Sequence, residues 1–154
     1  MAEAPAPCEV WFYHLERSTA DDVLPDLLDR TLARGWRALV VAPDAARQPA
    51  ISERLWGWKP ESFLAHGCAD QPDAERQPIL LSDAAENLNG AQVLVLMDGA
   101  ELPPLEGFTR CLDLFDGREE DAVQAARFRW RAARGQGATV SYWRQGERGW
   151  EKQA

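Results

Sequence analysis

No long apolar run occurs in this 154-residue sequence. A membrane-spanning helix needs roughly 18 consecutive apolar residues, and nothing here approaches that. The opening Met1-Ala2-Glu3-Ala4-Pro5-Ala6-Pro7 also lacks the basic start and apolar middle of a secretory signal. The expectation is a cytoplasmic protein with no membrane partner. Cysteine is scarce: Cys8, Cys68 and Cys111 are odd in number, far apart and never a C-x-x-C pair, which excludes a disulfide framework. They read as small buried apolar residues. Histidine is scarcer still, with only His14 and His66. His66-Gly67-Cys68 has no companion ligand pair, so neither a metal nor a cofactor is expected.

The motifs of common enzyme chemistry are missing too. There is no G-x-x-x-x-G-K-[ST] and no G-x-S-x-G, and the turns after Leu15 and Ala42 lack G-x-G-x-x-G. Gly135-Gln136-Gly137 follows a helix and precedes a strand, the reverse of the order a phosphate loop needs. Glu16-Arg17-Ser18-Thr19 has one arginine and no glycine, and a capped helix start explains it better than an anion site. Asp21-Asp22 and Glu119-Glu120 fall at helix starts, where carboxylates complement the helix dipole without any catalytic role. A hydrolase therefore has no positive support. A nucleotide-binding α/β enzyme or regulator without a recognised motif stays open as the alternative.

Basic charge is short overall, at 17 Lys and Arg against 25 Asp and Glu, a net −8 that argues against generic nucleic-acid binding. Its distribution is uneven. Through Gly117 the balance is −11, and from Arg118 onward it is +3. An acidic body carrying a basic C-terminal segment points to a localised anionic ligand.

What is present is an ordinary α/β pattern, 45% apolar and 27% charged. Glu9–Leu15 reads as a strand, followed by a helix with N-caps at Ser18 and Thr19 and an apolar face of Val23, Leu24, Leu27, Leu28 and Leu32. Arg37–Ala42 is a nearly continuous apolar run and reads as a strand covered on both faces, and a second helix runs from about Ala45 to Leu55. Ala69–Gln77 is acidic and polar and suits an exposed loop. Pro78–Leu81, Gln92–Met97, Cys111–Phe115 and Ala138–Trp143 are further strands, with a helix from Glu119 to Arg134. The alternation predicts one three-layer Rossmann-like α/β domain over residues 1–154, with a mainly parallel sheet, a last strand open to running antiparallel, and short flexible segments at both termini.

Two segments carry functional signals. Leu55–Gly67 packs Trp56, Trp58 and Phe63 with two leucines around Pro60, an apolar load that either seals a core or waits for a partner. On the last helix Arg127, Trp130, Arg131 and Arg134 fall along one side. Phe128, Ala125 and Ala132 lie round from that stripe and are expected to face the core, with Arg129 reaching out at the core's edge. Guanidinium groups beside an aromatic suit a short peptide with carboxylates and an apolar side chain; a solvated basic face with Trp130 partly buried is the simpler reading.

Taken together, Phe12-Tyr13, the leucine-faced helix, Leu39-Val40-Val41-Ala42 and the spaced set Leu55, Trp56, Trp58, Pro60, Ser62, Phe63, Leu64 and His66 resemble the chi subunit family of bacterial DNA polymerase III. The Arg-aromatic-Arg helix occurs in the family's order. The resemblance implies a non-catalytic clamp-loader accessory subunit with a Rossmann-like fold that lacks the nucleotide site. It implies binding to the acidic, Phe-terminated C-terminal tail of single-stranded DNA-binding protein, so that contact with DNA is indirect. Arg127, Trp130 and Arg131 match that tail site, Arg134 extends it, and Val123 stands where some members have lysine. Trp56, Pro60 and Phe63 match the surface for the psi subunit, an equivalent clamp-loader component or a helicase. The loop Asp98–Pro104 and the tail Glu147–Ala154 depart from the family pattern.

Overall fold

A computed structural model describes residues 7–59 and 64–154. Strand β1 (Glu9–Leu15) alternates its side chains between two cores, with Val10 and Phe12 entering one and Tyr13 and Leu15 the other. Helix α1 (Ala20–Ala33) begins with a complete capping box: Thr19 accepts from the Asp22 backbone N–H, and the Asp22 carboxylate accepts from that of Thr19. Leu24 and Leu28 bury its inner face, and Gly35 at φ 77° takes the chain out of it.

Strand β2 (Ala38–Val41) is wholly buried, as its unbroken apolar run requires. A 3₁₀ turn over Ala45–Arg47 precedes helix α2 (Gln48–Trp56), whose Pro49 lies in the first turn, where a missing N–H costs nothing. Strands β3 (His66–Cys68), β4 (Ile79–Ser82), β5 (Val93–Leu96) and β6 (Arg110–Asp116) follow, then helix α3 (Glu120–Gly135) and strands β7 (Thr139–Gly146) and β8 (Gly149–Lys152).

These strands form an eight-stranded sheet in the order β3-β4-β2-β5-β6-β1-β7-β8. Helices α1 and α2 pack on one face over Val40, Val95 and Leu112, and α3 packs on the other over Val10, Phe12 and Phe115. The mostly parallel, three-layer Rossmann-like architecture expected from the strand–helix alternation is thus present. No helix among the described residues is long and apolar enough to cross a membrane.

Two strands were invisible to periodicity. The three residues of β3, His-Gly-Cys, carry no apolar run and are held by parallel pairing with β4. Gly149–Lys152 pairs antiparallel with β7 and supplies the sheet's only reversal among the described residues. The strand containing Ala138–Trp143, which the sequence left open to running antiparallel, runs parallel to β1 because α3 carries the chain back along the sheet before β7 enters.

Candidate functional site

Helix α3 is rotated relative to the face its sequence suggested. Ala126, Arg129 and Ala133 are buried against the sheet, whereas Phe128 is 68% exposed and Ala125 is exposed, with Ala132 half-buried. The cause is Asp113 on β6. Its carboxylate is 1% exposed and receives the Arg129 guanidinium through Nε at 2.6 Å and Nη2 at 3.0 Å. A buried carboxylate without a partner costs several kcal/mol, more than the roughly 1.5–3 kcal/mol from burying a phenylalanine. Arg129 therefore takes the inner face and Phe128 is left outside. Small Ala126 and Ala133 let the helix approach closely enough for the pair to form. Burial pushes the Asp113 carboxyl up from its ordinary value, opposed by the hydrogen bonds from Arg129.

On the outward side Arg127, Arg131 and Arg134 are exposed and keep their expected alignment. Among the described residues none of the three has a carboxylate within ion-pair distance. Trp130 is half-buried beside them, its ring 5.4 Å from Phe12 and 6.0 Å from Tyr142. The structure thus joins the basic stripe to a ring fixed in the core.

It also adds two residues that the sequence did not single out, Tyr142 and Arg144. Tyr142 on β7 hydrogen-bonds His14 Nδ1 at 2.5 Å, His14 Nε2 meets Glu16 at 3.1 Å, and Glu16 pairs with Arg144 at 2.8 Å. The His14 ring needs Gly117, since a Cβ there would lie 2.0 Å from its Cδ2. Burial raises the Tyr142 phenol above its usual value, while the charges of Arg127 and Arg144 pull it down. The hydroxyl consequently stays protonated at neutral pH, a donor and acceptor at the edge of the arginine stripe. Alternation along β7, with Tyr142 two residues from Arg144 and so on the same face, was the available signal.

The second surface lies on the opposite face of the sheet. Trp56 ends α2 and is 52% exposed, its ring centred 4.3 Å from that of His66. Ser52 Oγ at 2.7 Å and the Leu64 carbonyl at 2.8 Å occupy the two nitrogens of His66. Leu55 and Leu64 are buried in the core, as expected. Pro60 and Phe63 lie outside the described residues, so the expected grouping of Trp56, Pro60 and Phe63 has one described member.

A crevice of about 600 Å³ opens at the carboxyl ends of β1, β5 and β6, where parallel α/β sheets commonly hold nucleotides. The backbone donors of the loop after β1, beside this crevice, are already taken. Gln145 Oε1 accepts from the backbone N–H groups of Glu16, Arg17 and Ser18 at 3.1, 2.7 and 3.0 Å. Asp21, Asp98, Asp116 and Asp121 line the walls, and Arg47 is committed to Asp21 and Asp98. A phosphate entering here would meet carboxylates and find its donors taken.

The family described as DNA polymerase III chi subunit, HolC, matches residues 8–141, a range that includes both surfaces. A protein of Rickettsia prowazekii (strain Madrid E) named probable DNA polymerase III subunit chi is 23% identical over 90 residues, covering 58% of this chain. The match spans about half of that relative's length, 54%.

Proposed function

The chain belongs to the DNA polymerase III chi subunit family, and on that premise we propose that it is a non-catalytic clamp-loader accessory subunit that holds the acidic C-terminal tail of single-stranded DNA-binding protein on α3. One observation carries the reading: three exposed arginines without carboxylate partners among the described residues flank a core-anchored tryptophan on an otherwise acidic protein. An exposed arginine–carboxylate contact contributes only about 0.2–1 kcal/mol. Anchoring must then come from an apolar side chain seated against Trp130, at about 1.5–3 kcal/mol, with the arginines steering and orienting the peptide. Arg127 and Arg131 contact its carboxylates, Arg134 extends the track, and Tyr142 offers a hydroxyl at its far edge.

Trp56, on the other face of the sheet, marks a second docking surface for psi, an equivalent component or a helicase, to which Pro60 and Phe63 are assigned by the family resemblance. Both partners can then be held together, and the protein acts in the cytoplasm as a bridge. Calorimetric titration with an acidic peptide ending in phenylalanine tests the tail site. Arg127→Glu with Arg131→Glu should weaken binding at least tenfold, about 1.4 kcal/mol, and affinity should fall with salt. Unchanged affinity in that variant moves the tail elsewhere. The nucleotide reading predicts a raised melting temperature with nucleotides; the occupied donors of the β1 loop speak against it.

A further inference from the structure

At the opposite end of β1 from the crevice, cations and rings alternate. Arg34 lies 5.0 Å from the Trp36 ring, Arg110 lies 5.4 Å from Trp36 and 4.4 Å from Trp11, and Trp11 is 5.8 Å from Trp143. Arg30, Arg34 and Arg110 converge on a cleft of about 180 Å³ between α1 and the sheet, lined by Leu27 of α1 and Leu112 of β6. Among the described residues, the sheet beyond it carries no helix on this face. Its β1–β7–β8 edge is roofed by the half-buried rings of Trp11, Trp143 and Trp150.

A guanidinium stacked on an indole uses its flat face and keeps its N–H donors in plane, free to meet an anion. Arg110 Nε is buried with no hydrogen-bond partner, and Arg34 has no carboxylate partner among the described residues. The acids that do reach this group are weakly held: Glu9 meets Arg110 at 3.1 Å and Asp26 meets Arg30 at 3.0 Å, each at least half-exposed or nearly so. Water and counter-ions can replace them at little cost.

We propose that this cleft and the adjoining tryptophans form a contact for single-stranded nucleic acid, with Arg30, Arg34 and Arg110 holding a backbone phosphate and a base stacking on the partly exposed indole of Trp36 or Trp143. The volume admits a phosphate and part of its sugar, and excludes a whole nucleotide cofactor. Flat rings beside arginines on an open sheet face suit unpaired bases, whose faces stack without regard to sequence. An acidic peptide fits less well, because Leu27 and Leu112 are apolar and offer few partners for a peptide backbone. The net charge of −8 keeps the contact weak, so it operates on a strand already held nearby.

The test is fluorescence anisotropy of a labelled oligothymidylate with the full chain at low ionic strength. One strand phosphate held by the cleft predicts that log affinity falls against log salt with a slope of about −0.7. Arg30→Glu with Arg34→Glu should weaken binding at least about tenfold, while Arg127→Glu with Arg131→Glu leaves it within about twofold. The Arg30 and Arg34 side chains are exposed, so that variant should melt as the wild type does, and Trp36→Phe provides a milder check through loss of tryptophan quenching. No binding at low salt, or equal loss in both double variants, overturns the proposal. So does an oligoglutamate peptide that competes as well as the oligonucleotide, which would make the cleft a site for acidic peptides. None of these outcomes depends on the tail site on α3.

Discussion

Arg129 on α3 and Asp113 on β6 form a two-pronged ion pair that is 7% and 1% exposed, and it sets the rotation of the helix that bears the proposed tail site. Turning α3 to bury Phe128 would carry Arg129 away from Asp113 and leave a bare carboxylate in the core. The same rotation presents Arg127, Arg131 and Arg134 to solvent with Trp130 at the seam. A structural charge pair thereby decides which residues can meet a ligand.

Arg129→Met should destabilise the protein by about 3–5 kcal/mol, the cost of leaving a buried charge unpaired. Its pH dependence has a definite sign. Burial already raises Asp113 in the folded state, so the folded protein holds that proton more tightly than the unfolded chain, and stability falls as pH rises from the ordinary carboxylate value through the folded one. Removing Arg129 raises the folded value further and widens the window. Urea unfolding should show the variant's deficit shrinking from neutral to mildly acidic pH; a deficit that grows with acid would contradict this account.

Phe128→Ser should change stability by no more than about 0.5 kcal/mol, because the ring is largely in water. Thermal unfolding measures it. A loss of several kcal/mol would return Phe128 to the core and place the arginine stripe elsewhere.

Trp130→Ala and Arg131→Ala should separate cleanly. The first removes contacts with Phe12 and Tyr142 and should cost about 3 kcal/mol of stability as well as peptide affinity. The second should leave stability within about 0.5 kcal/mol and reduce affinity alone. Denaturation and calorimetry on the same preparations read both quantities.

Gln145→Ala should destabilise by about 1–3 kcal/mol, since the backbone N–H groups of Glu16, Arg17 and Ser18 lose their shared acceptor. The freed donors form an anion nest at the start of α1. Added phosphate should therefore raise the variant's melting temperature more than that of the wild type.

Trp56→Ala should leave stability within about 1 kcal/mol, given that half of the ring is exposed. Peptide binding on α3 should persist, while co-purification of polymerase components from the source cell is lost. Loss of both partners together would argue against two separate surfaces.

Local pattern was enough for much of this protein. Alternation over Glu9–Leu15, the capping box of Thr19 and Asp22, and the apolar runs of β2, β4 and β5 each encode their element within a few residues, because burial and capping act at short range. The i, i+4, i+7 spacing likewise fixed that Arg127, Arg131 and Arg134 share one side of a helix. Strands β3 and β8 escaped because they are held by pairing with β4 and β7 rather than by apolar content of their own. What only the tertiary structure decided was orientation and company. A helix sequence of mixed arginine, alanine and aromatic residues allows more than one inner face, and a carboxylate on a strand 16 residues away selected the one with Arg129 inside. Gln145 closing the β1 loop from 127 to 129 positions along the chain, and Arg110 lodged between Trp11 and Trp36, follow the same logic. Desolvation makes such distant pairings strongly unequal in energy, and sequence spacing alone carries no record of them.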